Sequence, residues 1–219
     1  MPTINFIYTV MMCAVNNLKR PRDNSNLSGE RAMKSLQSSS AIMRPHDYIL
    51  SISKAKTVRG SELVDFFHKY SQTEVEAYGM GVTSAVRSRD LNKLKALHEK
   101  GQLLQCSNRF GESILHMACR QGNFEIVQYL INEGNVSVRI KDDFGRTPMH
   151  DAFWSASPNF ELVEFLIEIC PSLLFISDVR GHFPLQYVRK EHESSWTPFL
   201  EKRKQTILRG MKDIEQFSS

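Results

Sequence analysis

The feature that most constrains the fold is a motif of about ten residues that recurs three times along the chain. It is clearest between Lys141 and His150, around Gly145, and related segments lie 34 residues earlier, around Gly111, and 36 residues later, around Gly181. Each copy has a polar residue, a two-residue gap, a glycine and then a small or apolar run. A period in the low thirties is typical of stacked repeats, in which each unit contacts only its neighbours. The sequence therefore predicts a helical solenoid and favours binding over catalysis.

Capping signals place two helices in each central unit. Thr147 puts a hydroxyl directly before Pro148, which suits the first position of a helix. Asn123 and Asn159 are the expected N-caps of the second helices. Each second helix carries an apolar stripe, consisting of Ile126, Val127, Leu130 and Ile131 in one copy and Leu162, Val163, Leu166 and Ile167 in the next. One helix pair cannot bury such a stripe alone, so the units must stack into one core.

The central motif resembles the Thr-Pro-Leu-His tetrapeptide of the ankyrin-repeat family. The match is Thr147-Pro148-Met149-His150, and Ser113-Ile114-Leu115-His116 is a weaker copy. The stretch from Ala118 to Gly134 is similar to the small residues, glycine turn and second helix of an ankyrin unit. The resemblance implies an all-α ankyrin-repeat solenoid, in which the two tetrapeptide histidines hydrogen-bond the backbone of a neighbouring unit rather than bind a metal.

The flanking units depart from the family pattern. Upstream, Gly81-Val82-Thr83-Ser84 replaces the tetrapeptide, and downstream Gln186 replaces the histidine, with a last helix expected within Trp196–Leu208. Terminal repeats face water on one side, so atypical ends are expected. The predicted organisation is a disordered basic segment over 1–46, a helical N-terminal cap or linker over 47–72, a repeat domain over 73–208 and a flexible tail over 209–219. The units of the repeat domain are predicted at about 73–106, 107–140, 141–176 and 177–208.

Basic charge is concentrated at the N-terminus. Residues 1–60 contain nine Lys and Arg against three Asp and Glu, whereas residues 61–219 contain nineteen against twenty-one. The near-neutral repeats argue against direct nucleic-acid binding. Lys19-Arg20-Pro21-Arg22 has two interpretations, a nuclear-import signal or a solvated tail. The apolar run from Ile4 to Val15 is too short to span a membrane. It is either a signal peptide without its usual positive start, or a stretch that precedes a true first residue at Met11 or Met12.

An apolar row before the repeats predicts a helix that begins near Ser61. Its members are Leu63, Phe66, Phe67 and Tyr70. Thr73 and Glu76 have the spacing of a capping box, which predicts the start of the following helix. The apolar face has two interpretations: it covers the first repeat, or it docks a partner.

Candidate catalytic chemistry is sparse. The four cysteines, Cys13, Cys106, Cys119 and Cys170, are widely spaced and indicate buried thiols in a reducing compartment. Cys119 follows His116 by three residues, yet no second pair has zinc-ligand spacing. His150 and Asp151 are residue types found in a hydrolase triad, but no nucleophile elbow accompanies them. We therefore expect no enzymatic activity, no cofactor and no metal.

Candidate partner-binding residues follow from the family's architecture, which implies contacts from the hairpin tips and from the exposed end of each first helix. The predicted tip residues are Arg109, Phe110, Glu112, Asp143, Phe144, Arg146, Val179, Arg180 and His182. The predicted concave-face residues are Arg120, Gln121, Trp154, Ser155, Arg189 and Lys190. Solvent-facing aromatic residues with arginine neighbours are typical of interface hot spots. The alternative is that Phe110 packs on Phe144, and that Trp154 covers the longer turn of its unit.

The sequence thus predicts a monomeric, non-catalytic protein-interaction module or scaffold, located in the cytoplasm or the nucleus. The partner itself is not specified by a repeat surface. Two alternatives stay open: an adaptor that delivers bound clients to a larger complex, and a nuclear regulatory factor. The adaptor would need an effector-docking element, for which the candidates are the Leu63–Tyr70 segment and the Trp196–Leu208 segment.

Overall fold

The computed structural model describes residues 43–53, 58–63 and 65–217. The Lys19–Arg22 motif, the apolar Ile4–Val15 run, Cys13 and residues 1–42 of the predicted disordered segment lie outside these residues. Over 43–46 the prediction of disorder is wrong, because a helix begins at Pro45. The described α-helices are α1 (Pro45–Ser53), α2 (Gln72–Glu76), α3 (Met80–Arg87), α4 (Leu91–Glu99), α5 (Ile114–Arg120), α6 (Phe124–Asn132), α7 (Pro148–Trp154), α8 (Phe160–Ile169), α9 (Glu193–Lys202) and α10 (Lys204–Phe217). Short 3-10 helices cover Gly60–Glu62, Pro171–Phe175, Pro184–Tyr187 and Lys190–His192.

Three helix pairs form the predicted stack. They are α3 with α4, α5 with α6, and α7 with α8, and α5 lies between α3 and α7. The predicted N-caps are confirmed, because the side chains of Asn123 and Asn159 accept hydrogen bonds from the first turns of α6 and α8. Leu130 and Leu166 of the apolar stripes are completely buried, so the core runs continuously through the units.

The fourth unit keeps the hairpin but not the first helix. Pro184–Tyr187 forms only a 3-10 turn, and α9 and α10 follow it. The flexible tail predicted over 209–219 is wrong over its described part, because α10 extends to Phe217. A Cβ built on Gly210 would lie 2.5 Å from the Pro171 carbonyl carbon, so the missing side chain lets α10 lie directly on the 3-10 helix Pro171–Phe175.

The predicted helix near Ser61 is wrong. After the 3-10 turn Gly60–Glu62 the next helix is α2, although Leu63, Phe66 and Phe67 are buried as their apolar character required. Their burial arises because these non-helical residues pack in the hydrophobic core, with Arg139 and Lys141 over the rings of Phe66 and Phe67.

The predicted capping box was also displaced by two residues. The side chain of Ser71 accepts from the Glu74 amide, and Glu74 Oε2 accepts from the Ser71 amide at 2.7 Å. Thr73 and Glu76 have the same spacing, but they lie inside α2. His68 favours the capping box of Ser71 and Glu74, because its Nε2 lies 3.0 Å from Glu74 Oε1 and holds the Glu74 carboxylate at the start of the helix.

The described parts of residues 43–78, called here the strap, contact the stack from the fourth unit back to the first. At one end the Thr197 hydroxyl donates to the Met43 carbonyl at 2.7 Å, and His46 stacks on Phe183 at 5.5 Å between ring centroids. In the middle the two-residue strand β1 (Val58–Arg59) pairs in parallel with β2 (Ile176–Ser177).

The strap then crosses the third unit. Lys141 Nζ donates to the Gly60 carbonyl at 2.7 Å, and the His68 amide donates to the Arg139 carbonyl at 2.8 Å. It ends at the first unit, where Gln102 Nε2 donates to the Ala77 carbonyl at 2.9 Å. The strap therefore connects both ends of the stack and leaves the hairpin tips uncovered.

Candidate partner-binding surface

The three hairpins share one turn chemistry. The side-chain oxygens of Asn108, Asp142 and Asp178 each accept hydrogen bonds from two backbone amides of their own turn, at 2.8 to 3.0 Å. Three residues on, the turn needs a left-handed backbone, and Gly145 has a φ of 74°. These bonds fix the direction in which the intervening tip residues project.

Consecutive tips are joined by backbone hydrogen bonds. The Asp143 amide donates to the Phe110 carbonyl at 2.9 Å, and the Val179 amide donates to the Phe144 carbonyl at 2.9 Å. The tips therefore form a ladder of fixed spacing, which makes them a preorganised surface.

The tetrapeptide histidines hold neighbouring units together, as predicted. In the third unit the Thr147 amide donates to His150 Nδ1 at 3.0 Å, so the proton lies on Nε2, which donates to the His182 carbonyl at 3.2 Å. His116 makes the same bridge to the Arg146 carbonyl at 2.9 Å. Burial lowers the pKa of His150 to about 4, and the ring therefore stays neutral at physiological pH.

The aromatic tip residues are exposed. Phe110 and Phe144 are 46% and 44% exposed, and within the described chain no ring contact joins them. Each ring is covered on one side by an arginine of its own hairpin, Arg109 at 4.6 Å and Arg146 at 5.1 Å from the ring centroid. The interpretation that Phe110 and Phe144 pack on each other is therefore wrong.

Some predicted contact residues belong to an internal ion-pair network. Arg120 binds Glu112 of its own hairpin at 2.8 Å and Asp151 of the next first helix at 3.0 Å. Arg146 binds Asp142 through Nε at 2.7 Å. Partly buried pairs of this kind fix side-chain positions. These residues therefore form the floor of the surface, and their charges are largely neutralised.

The helix-end positions differ in exposure. Trp154 is 42% exposed, and its ring meets Tyr187 of the fourth unit edge-on at 6.0 Å, so it packs on the next unit and still presents a face to solvent. Ser155 is buried, which removes it from direct contact. Arg189 and Lys190 are exposed, as are the tip residues Val179, Arg180 and His182.

Hydrogen bonds connect the turns between the helices of successive units. Gln121 Nε2 donates to the Arg87 carbonyl at 3.2 Å, and Arg89 donates back to the Gln121 carbonyl at 2.6 Å. Asn159 Nδ2 donates to the Gly122 carbonyl at 2.9 Å. The turns therefore form a second row, parallel to the tips.

The tips and the turns together are called here the tip-and-turn surface. Sequence reasoning missed two of its members, Arg87 and Arg89, both exposed at the end of α3. Arg87 precedes Arg120 by one period of 33 residues, so the repeat spacing itself could have found it.

The three cysteines in the described part of the chain are buried. Burial raises the pKa of the Cys106 thiol to about 12 and also raises that of Cys119, so these thiols are unreactive. Cys170 is a free, buried cysteine as well. Among the residues with described side chains, no group of three His, Cys, Asp or Glu is placed to hold a metal ion.

A groove of about 640 Å³ lies between the strap and the hairpin bases. Its lining mixes Arg59, Lys69 and Arg109 with Asp142 and Asp178, whose carboxylates already hold the turns. The carboxylates of Asp142 and Asp178 in the groove thus belong to the framework of the turns. Within the described part of the chain, none of the helices combines the length and apolar character needed to cross a membrane.

The fold and this surface define a stacked α-helical repeat protein whose exposed features are loops and helix ends. Comparison with known families identifies the repeat. The family described as ankyrin repeats, in three copies, matches residues 83–187, so this part of the chain is an ankyrin-repeat domain. The matched range contains all three hairpins and ends at Tyr187.

Similar regions occur in proteins of diverse kinds. The chain is 27% identical over 158 residues to diacylglycerol kinase iota of Rattus norvegicus, a match that covers 71% of this chain and 15% of that protein. It is 40% identical over 63 residues to the eye-specific diacylglycerol kinase of Drosophila melanogaster, covering 29% of this chain and 4% of the relative. It is 33% identical over 105 residues to the probable 26S proteasome regulatory subunit p28 of Saccharomyces cerevisiae, covering 47% and 44%. The chain thus spans a small part of the two kinases and less than half of p28.

Proposed function

We propose that this chain is a non-catalytic protein-interaction module, which binds a protein partner through the tip-and-turn surface. Ankyrin repeats are generally protein-binding modules, which supports a protein partner. The observation that carries the proposal is the exposure of Phe144 and Trp154 on a framework fixed by hydrogen bonds. Large, rigid, half-exposed aromatic side chains are the usual anchors of protein interfaces. In keeping with this, the module is proposed to act as a monomer, in the cytoplasm or the nucleus.

The test is capture of partners from a cell extract by the full chain and by the double variant Phe144→Ala/Trp154→Ala. We expect the variant to lose its partners while its melting temperature falls little, because both side chains are more than two-fifths exposed. The matched control is Leu103→Ala/Ile169→Ala, which removes two equally exposed apolar side chains, at 46% and 41%, outside this surface. Equal capture by the double variant and wild type would show that the surface is misplaced.

The likeness to a proteasome regulatory subunit is the observation that favours an adaptor as the second candidate. An adaptor needs a free effector-docking element. In this chain Leu63, Phe66 and Trp196 of the two candidate segments are each at most 3% exposed, so their apolar groups already pack within the fold. The adaptor would therefore have to use another surface, and we prefer the simple interaction module.

A further inference from the structure

Charge is segregated between two faces of the repeat domain, although its total is near neutral. The exposed cations of the tip-and-turn surface are Arg87, Arg89, Arg109, Arg180, Arg189 and Lys190. The exposed carboxylates beside them are Asp90, Asp143 and Glu191. By contrast, the second helices α6 and α8, with the residue that caps α6, contain only acidic charges, namely Glu125, Glu133, Glu161, Glu164 and Glu168. The second helix of the first unit, α4, differs, because it carries Lys93 and Lys95 against Glu99. Exposed cations therefore outnumber carboxylates on the tip-and-turn surface, whereas the second helices of the second and third units are acidic.

These cations are available to a partner. Arg120 and Arg146 are neutralised by carboxylates of the framework. In the part of the chain that the structure describes, no carboxylate pairs with Arg109, Arg180 or Arg189. The framework thus shields its internal arginines and leaves the outer ones without a counter-charge.

The cations flank an apolar centre. Arg87 and Arg89 lie in the first unit and Arg189 in the fourth, while Phe144 and Trp154 lie in the third. The row is continuous, because the turn hydrogen bonds run from the first unit to the third and His192 Nε2 lies 3.3 Å from the Ala156 carbonyl. A partner that follows the turns meets positive charge at both ends and Trp154 between them, and in the parallel row of tips Phe144 lies between the hairpins of Arg109 and Arg180.

We propose that the partner presents an acidic peptide segment with an aromatic or aliphatic anchor, which lies along the tip-and-turn surface. Its carboxylates pair with the outer arginines, and its apolar side chain contacts Phe144 and Trp154. A nucleic acid fits less well, because nucleic-acid-binding domains have a clear excess of positive charge, whereas residues 61–219 contain nineteen Lys and Arg against twenty-one Asp and Glu. This inference rests on the proposed protein-binding function and adds the chemistry of the ligand.

The test is selection of a random peptide library displayed on phage against the immobilised full chain. We expect enrichment of peptides that combine several Asp or Glu residues with one Phe, Trp, Leu or Ile. For the best of these peptides, Arg109→Glu/Arg189→Glu should weaken binding by about tenfold or more, as measured by fluorescence anisotropy. The control variant Lys100→Glu/Lys212→Glu makes the same change of charge at two exposed lysines outside the surface and should bind like wild type.

Enriched peptides that are neutral or basic, or no enrichment at all, would overturn the inference. So would an equal loss of binding in both charge-reversed variants, or a single-stranded oligonucleotide that binds as tightly as the selected peptide. The proposed function fails separately, when Phe144→Ala/Trp154→Ala captures the same proteins as wild type. Partners that are lost in that variant but bind through neutral segments would refute the charge inference and leave the proposed function intact.

Discussion

The third and fourth units begin with the same turn and then differ. In both, an aspartate holds the hairpin, and a proline follows three residues after the glycine. In the third unit a complete helix follows, and His150 bridges to the hairpin of the fourth. In the fourth unit Gln186 stands at the histidine position, accepts from the Phe183 amide at 2.8 Å and is exposed, within a 3-10 turn of four residues. The turn chemistry that the two units share is therefore local, whereas the histidine and the full helix depend on a following unit.

The largest difference between the two units should appear in their cores. Leu166→Ala in the third unit should lower the free energy of unfolding by about 2–5 kcal/mol, because its surroundings are packed on both sides and cannot collapse. Leu185→Ala in the fourth should cost less, since a short 3-10 turn can move to fill the space. Urea denaturation of both variants measures the difference. Equal losses would mean that the terminal unit is packed as tightly as the central one.

The histidine bridge should give the third unit a pH dependence. In the unfolded chain this histidine binds a proton below its ordinary pKa of about 6.5, whereas in the folded protein burial lowers the pKa of His150 to about 4. Stability therefore falls with acid through this window, by up to about 3 kcal/mol. Asp151, Asp178 and His116 are the charged or titratable groups that act on the ring.

His150→Gln, which copies the fourth unit, should cost about 1–3 kcal/mol near neutral pH because the His182 carbonyl loses its partner. The difference from wild type should shrink as the pH falls toward 4, since glutamine does not titrate. Urea titrations at several pH values test both points. If the free energies of unfolding of the two proteins changed equally with pH, the assignment of the acid sensitivity to His150 would be contradicted.

Alanine at the turn glycines should separate local strain from contact between units. Gly145→Ala and Gly181→Ala both force a left-handed φ, 74° and 81°, at about 1–2 kcal/mol. At Gly145 the new Cβ would also lie 3.1 Å from the Val179 amide nitrogen, whereas at Gly181 nothing lies within 4 Å. Gly145→Ala should therefore be the more destabilising in thermal unfolding, and the reverse order would exclude the backbone contact as the cause.

The smallest effect is expected where the strap crosses the third unit. Lys141→Met removes the bond to the Gly60 carbonyl and the cation contact to Phe67 at 4.7 Å, at a cost of about 1 kcal/mol. Hydrogen exchange of the His68 amide should accelerate while the amides of α8 stay protected. An equal acceleration in α8 would show that the strap is part of the repeat core.

The features that sequence predicted well are those that depend on local chemistry. The asparagine caps, the Thr147–Pro148 helix start and the turn glycines act within a few residues, so their patterns determine the structure. The strap was missed because Phe66 and Phe67 are both buried by units more than seventy residues away, such as the one containing Arg139. Periodicity within the strap carries no information about that contact.

At the candidate surface, the sequence identified the tip residues, but it did not show which arginines form ion pairs with carboxylates of the framework. Arg120 and Arg109 look equivalent in the sequence, yet only the first has carboxylates within reach. Part of that difference comes from Asp151 in the first helix of the next unit, which a single unit does not contain. Which arginines are available to a partner is therefore a property of the stacked units.

The strap has a mechanical consequence. A stack of repeats extends under load like a spring, because each junction between units yields a little and the small displacements add. Here a second stretch of the same chain runs back beside the stack and is fixed to its last unit at Met43 and to its first at Ala77. Pulling the two ends of the stack apart would therefore have to break the contacts of the strap, such as the pairing of β1 with β2, as well as the junctions between units.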